Sequence, residues 1–235
     1  MIEKNKHYLC LQGMILNMNN TAEIQNAVRT ILSCIGEDPT REGLAATPER
    51  VQRMTKELFA GYQMDLDTVV NGAVFNEDFD SMVLVRNISF YSVCEHHMLP
   101  FYGKVHVAYV PDGKIIGLSK IPRIVEMYAR RLQVQERMMQ QICDAIENVL
   151  HPKGIAILTS GMHMCSVMRG VRKESAELVT TRFTGVFQNN PDLIDVFYHL
   201  ISSPDKSIFF KYIKYHRYKL YVQRLFIIND DIRSF

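Results

Sequence analysis

No stretch of this 235-residue chain approaches the roughly 18 consecutive apolar residues that a membrane-crossing helix needs, so no membrane partner is expected. The net charge is only +2, too little excess of one sign to announce nucleic acid as a partner, so any basic binding surface is local. Cysteines are few, five in all, and Cys10, Cys34, Cys94, Cys143 and Cys165 are odd in number and widely scattered. That excludes the paired framework of a small secreted scaffold and fits a reducing, cytoplasmic location. The opening "MIEKNKHYLCLQGMILNMNN" puts lysines ahead of an apolar patch, but Gln12 and Gly13 interrupt it and no small-residue cleavage site follows. Residues 1–20 therefore read as a loose leader. Hydrophobic residues at 47% and charged ones at 22% leave an ordinary globular protein, long enough to bury a full core.

Two periods organise the rest. From Thr21, "TAEIQNAVRTILSCIGED" spaces Ile24, Val28, Ile31, Leu32 and Ile35 as one helix face, with Thr21 as its cap. "PTREGLAAT" reads as a loop, Thr47 as the cap of "PERVQRMTKELFAGY" with Pro48 at its first position, and Gly61 as its stop. From Ser81 the period becomes two: Val83, Val85, Ile88 and Phe90, then Val105, Val107 and Tyr109, predict two antiparallel strands with "CEHHMLPFYG" at their crossing. Asp112-Gly113 makes a turn. Two helical stretches follow, "LSKIPRIVEMYARR" and "QVQERMMQQICDAIENVLH", the second carrying Val134, Met138, Ile142, Ala145, Ile146 and Val149 as one stripe. "GIAILTSGMHMCSVM" and "ELVTTRFTGVF" return to strand character. Strand, strand, helix, helix, strand, strand is an α+β order, with helices on one face of an antiparallel sheet.

Cys94–His97, "CEHH", places a thiol, a carboxylate and two imidazoles within four residues of a chain that has eight histidines. Cys94 and His97 have the spacing at which a tight turn aims both at one ion. On a continuing strand His163 and Cys165 of "HMC" would face the same side and supply a third soft ligand. Read alone, these residues leave three possibilities open. One is an open catalytic zinc, another a closed structural zinc with a further histidine, and the third a chance spacing of hydrogen-bonding histidines.

"CEHHMLPFYGKVHVAYVP", "GLSKIPRIVEMYARRLQVQER" and "HMCSVMRGV", in this order, with "EDPTREGLAATPERV" and "KELFAGY" upstream, resemble the GTP cyclohydrolase I family from about Thr21 to about Ile201. The resemblance implies the tunnelling fold, a β-β-α-α-β-β unit preceded by N-terminal helices. It divides the chain into a helical region over 21–80, a catalytic domain over 81–203 and an extension over 204–235. It implies zinc (Zn2+) held by Cys94, His97 and Cys165. Water activated there would add to guanine C8 of GTP, releasing formate and forming 7,8-dihydroneopterin triphosphate, the first step of pterin and folate synthesis. His163 and His96 become the proton carriers, imidazole titrating near working pH. Glu136, with Gln135 beside it, becomes the acceptor for the guanine N1–H and amino group. Lys120, Arg123, Arg169 and Arg50 match phosphate contacts, and Ser119 reaches ribose or phosphate. Arg53 stands where the family usually has Lys, which keeps the charge and alters the donor geometry. Open sheet edges invite pairing, and the family closes them in a homodecamer with active sites at subunit interfaces.

Each of these residues also has a plain reading: Glu136 as a helix-surface acid, the cations as solvated charges, His96 as an orienting hydrogen bond. Other functions fare worse. A zinc nucleobase deaminase needs H-x-E followed by P-C-x-x-C, and neither occurs. A non-catalytic homologue would be expected to lose a ligand or His163. A relative acting on another purine nucleotide stays open. After Ser203, Lys206, Lys211, Lys214, Arg217, Lys219 and Arg224 interleave with Tyr and Phe. That composition suits an anionic surface or single strand, but no RNA-binding motif accompanies it, and nucleic acid is not the expected partner.

Overall fold

The computed structural model describes residues 21–202; the leader and the extension beyond 203, with the readings made on them, lie outside the described residues. Helix α1 (Thr21–Cys34) lies against α3 (Thr47–Leu58), with a single helical turn α2 (Glu42–Ala45) where the sequence reads as loop. Thr47 is the first helical residue rather than the cap, Ala46 holding that position without a side-chain bond. Helix α3 ends at Leu58, and Gly61 sits in the 3-10 turn Ala60–Gln63 that follows. Gly61 is there for contact: a Cβ on it would lie 2.1 Å from the Met127 carbonyl oxygen.

After α4 (Leu66–Val70) comes β1 (Val74–Asn76), within the stretch read as helical. The two long strands follow as expected, β2 (Val83–Cys94) and β3 (Pro100–Val110), antiparallel. The apolar spacing in β2 skips from Val85 to Ile88 because the register shifts there: a bulge, with Asn87 at φ 61°. One extra residue keeps Val83, Val85, Ile88 and Phe90 on one face. The Asp112-Gly113 turn leads to β4 (Lys114–Ile116), which pairs with β1 in a small separate sheet. Helix α5 (Lys120–Ala129), strand β5 (Leu132–Gln133), helix α6 (Gln135–Leu150) and strand β6 (Gly154–His163) come next. One turn, α7 (Met164–Val167), then strand β7 (Glu177–Phe183) and helix α8 (Pro191–Ser202) complete the described chain.

The main sheet runs β5-β2-β3-β6-β7, antiparallel except for the short parallel pairing of β5 with β2. With β5 and the small sheet set aside, the order β2-β3-α5-α6-β6-β7 is the unit of the tunnelling fold. Helices α5 and α6 cover one face, burying Phe90, Val105, Val107 and Tyr109 against Ile124, Met138, Ile142 and Ile146. The two helices of the unit thus lie on one face, as read from the sequence, and the opposite face is covered by elements that follow β7. Ala108, Val110 and Ala156 there pack with Phe187 and with Phe197 of α8. The physical reason lies in β3, whose residues 105–110 are apolar or buried on both faces and so demand cover on both.

Candidate metal centre

Cys94 is the last residue of β2 and is buried. A tight return follows: the Cys94 amide donates to the Leu99 carbonyl at 2.8 Å, and the Met98 amide to the Cys94 carbonyl at 2.8 Å. Met98 takes φ 53° to close it. Strand β5 braces the other side, pairing with Val93 and Cys94, and its Gln133 carbonyl accepts from the Glu95 amide at 3.0 Å. Glu95, to which the sequence reading gave no role, forms an ion pair with Arg137 of α6. Its position inside "CEHH" was the only signal for it.

Cys165 comes to the site by a route other than strand alternation. Strand β6 stops at His163, and Met164–Val167 turn helically, so His163 and Cys165 are not strand neighbours on one face. The turn nonetheless brings the Cys165 thiol to Cys94 and His97, with one donor atom from each of the three all within 4.8 Å of one another. Burial, then the adjacent Cys94, push the Cys165 thiol upward. A divalent cation relieves the resistance of the Cys165 thiol to ionisation, and two thiolates with one imidazole are a donor set suited to zinc.

Around the cluster, the Nδ1 of exposed His96 lies 3.9 Å from the Cys94 sulfur. Arg169 donates to the His97 Nε2 at 2.8 Å. His163 stacks on Phe101, ring centres 4.5 Å apart and planes 8° off parallel. Burial holds its pKa below that of ordinary imidazole, the Glu136 carboxylate pulling the other way. Glu136 is exposed at the start of α6, whereas Gln135 beside it is fully buried.

The remaining cations are not gathered here within one chain. Ser119 and Arg123 are exposed at the start of α5, while Lys120 is buried and donates to the Val69 carbonyl at 3.1 Å. Arg50 and Arg53 are exposed on α3, Arg53 lying 3.6 Å from Glu49. Among the described residues none of these five side chains hydrogen-bonds to the metal cluster.

The GTP cyclohydrolase I family matches residues 24–202. GTP cyclohydrolase 1 of Chlorobaculum tepidum is 54% identical over 178 residues, covering 76% of this chain and 80% of that protein. Its counterpart in Alkalilimnicola ehrlichii is 53% identical over 181 residues, 77% of this chain and 98% of the relative. That of Campylobacter curvus is 50% identical over 185 residues, 79% and 97%. Among solved structures, an archaeosine synthase QueF-like chain in the apo form aligns with 45% of this chain and 94% of its own length, at 16% identity and a TM-score of 0.38. With three donors gathered at one point, the family's match over residues 24–202 and half the sequence shared along at least four fifths of each of these relatives, the chain belongs to the GTP cyclohydrolase I family.

Proposed function

We infer that this chain converts GTP and water to formate and 7,8-dihydroneopterin triphosphate. The observation that carries the reading is the convergence of Cys94, His97 and Cys165 from two separate parts of the fold in a member of this family. These three residues would hold zinc, which when bound would supply a Lewis acid able to activate water at neutral pH.

The side chains divide the remaining work. His163, locked in plane by Phe101, hands a proton to purine nitrogen as the imidazole ring opens, and His96 serves the ribose side. Glu136, exposed and near His163, accepts the guanine N1–H and amino group. Arg169 already reaches the site and meets phosphate. Arg123, Arg50, Arg53 and Ser119, exposed in the single chain, meet it only where neighbouring subunits bring their surfaces together, and Lys120 joins them by giving up its bond to the Val69 carbonyl. That requirement supports the homodecamer with interfacial sites. Among the described residues no helix is long and apolar enough to cross a membrane; what supports a cytoplasmic enzyme is the odd, scattered set of five cysteines. Residues 81–203 form its catalytic part.

The test is incubation of the zinc-loaded full chain with GTP. Formate release and a pterin that fluoresces after oxidation are expected in equal amounts. Formate without pterin, or neither, overturns the reading.

A further inference from the structure

Gln135 is fully buried, and both ends of its amide are occupied. The amide nitrogen lies 3.2 Å from the Thr159 carbonyl, 2.9 Å from the Leu178 carbonyl and 3.1 Å from the Thr180 hydroxyl. Carbonyls only accept, so the nitrogen and not the oxygen must face them, and the amide cannot be turned over. Its oxygen is thereby aimed at the His163 Nε2, 3.2 Å away.

An amide oxygen only accepts, so Nε2 must carry the hydrogen, and in the neutral ring the lone pair is then on Nδ1. Two other features belong to the same arrangement. The Phe101 ring fixes the imidazole plane. Residue 161 is glycine, where a Cβ would lie 2.5 Å from the Gln135 amide oxygen, so the missing side chain is the passage through which the amide reaches His163.

We propose that Gln135 is a positioning residue: it holds His163 as the Nε2–H tautomer, so that Nδ1 is the ring nitrogen that exchanges a proton with the substrate. A proton accepted at Nδ1 leaves from Nδ1, and Nε2 keeps its own throughout. This deepens the function proposed above and rests on it for the identity of the substrate, though not for the tautomer. It replaces the guanine contact expected of Gln135 from the sequence, because a buried amide already shared among three acceptors has no hydrogen to spare for a base.

The experiment is solid-state NMR of the zinc-loaded full chain labelled with 15N-histidine, at a pH above about 8, where histidine is neutral. The His163 signals are identified as those missing from His163→Gln. A protonated Nε2 with an unprotonated Nδ1 is expected; the opposite tautomer overturns the proposal, and this reading needs no other variant to fold. Gln135→Met, similar in volume and without an acceptor oxygen, should give a mixture of tautomers. Its kcat for GTP should fall by roughly 10–100-fold, with KM changed less than about threefold. Gln135→Glu retains an acceptor and should retain the tautomer. An unchanged tautomer in Gln135→Met, or a raised KM with kcat intact, overturns the proposal in favour of a direct base contact. Absence of turnover by the unaltered protein, with the Nε2–H signal present, would instead sink the assigned reaction and leave the tautomer lock standing.

Discussion

At the scale of single residues, the chemistry of the centre depends on atoms that have no substitute nearby. Cys165→Ser replaces a soft thiolate by a hydroxyl that stays protonated, so bound zinc measured after dialysis and formate release should both be lost. Turnover that persists in a zinc-free Cys165→Ser protein would contradict the metal assignment. Gly161→Ala probes the crowded side of the site, since the new methyl would meet the Gln135 amide oxygen at 2.5 Å and the Phe90 ring at 3.3 Å. Overpacking of this kind costs about 1–3 kcal/mol, to be read as a lowered denaturation midpoint at fixed protein concentration. The metal ligands were legible because rare, reactive residue types at a telling spacing marked candidates, and the resemblance of three long blocks to one family chose Cys94, His97 and Cys165 among them. The burial of Gln135 was not legible, because its partners come from β6 and β7 and nothing local in "QVQER" says that its amide is enclosed.

At the scale of elements, α6 is an amphipathic helix whose stripe was readable in advance. Met138, Ile142, Ala145 and Ile146 of that stripe are all buried, with Cys143 and Leu150 extending it. Met138→Ala should therefore cost about 2–5 kcal/mol, measured by urea unfolding; a loss under about 1 kcal/mol would mean the helix face is not core. The bulge in β2 has its own consequence. It brings the Asn87 amide to the Nδ1 of His106, which accepts at 3.4 Å, and His106 is buried. Burial first, then Arg86 and Lys104, lower its pKa below the usual 6.5. The folded protein thus binds this proton less readily than the unfolded chain does. Its share of stability is complete above pH 6.5 and drains away as the pH falls from there towards the lowered folded value. His106→Gln, which still offers an acceptor to Asn87, should flatten thermal stability against pH below about 6.5. An unaltered slope would refute the account. Strands of two or three residues such as β1, β4 and β5 were invisible beforehand. A period cannot be seen in so few positions, and their pairing partners are remote in sequence.

At the scale of the whole molecule, the single chain leaves surfaces that want company. Helix α1 has no buried residue, and Ile31 on it and Ile35 just beyond its end are exposed. Strand β7 ends the sheet with Leu178 and Val179 exposed, an edge of the kind that pairs with another chain. Sedimentation of the zinc-loaded protein should give about ten times the 27.2 kDa chain mass, with GTP turnover lost on dissociation. A fully active monomer would refute the interfacial site. The sequence by itself determined the α+β order and the buried stripe of α6, because periodicity is a local property carried by the chain, and its family resemblance named the metal ligands. Only the tertiary structure decided how those ligands meet, through a helical turn that overrides strand alternation after His163, and which groups enclose the Gln135 amide beside His163. Both depend on which groups the fold brings together and closes off from water, and that is a property of packing across elements.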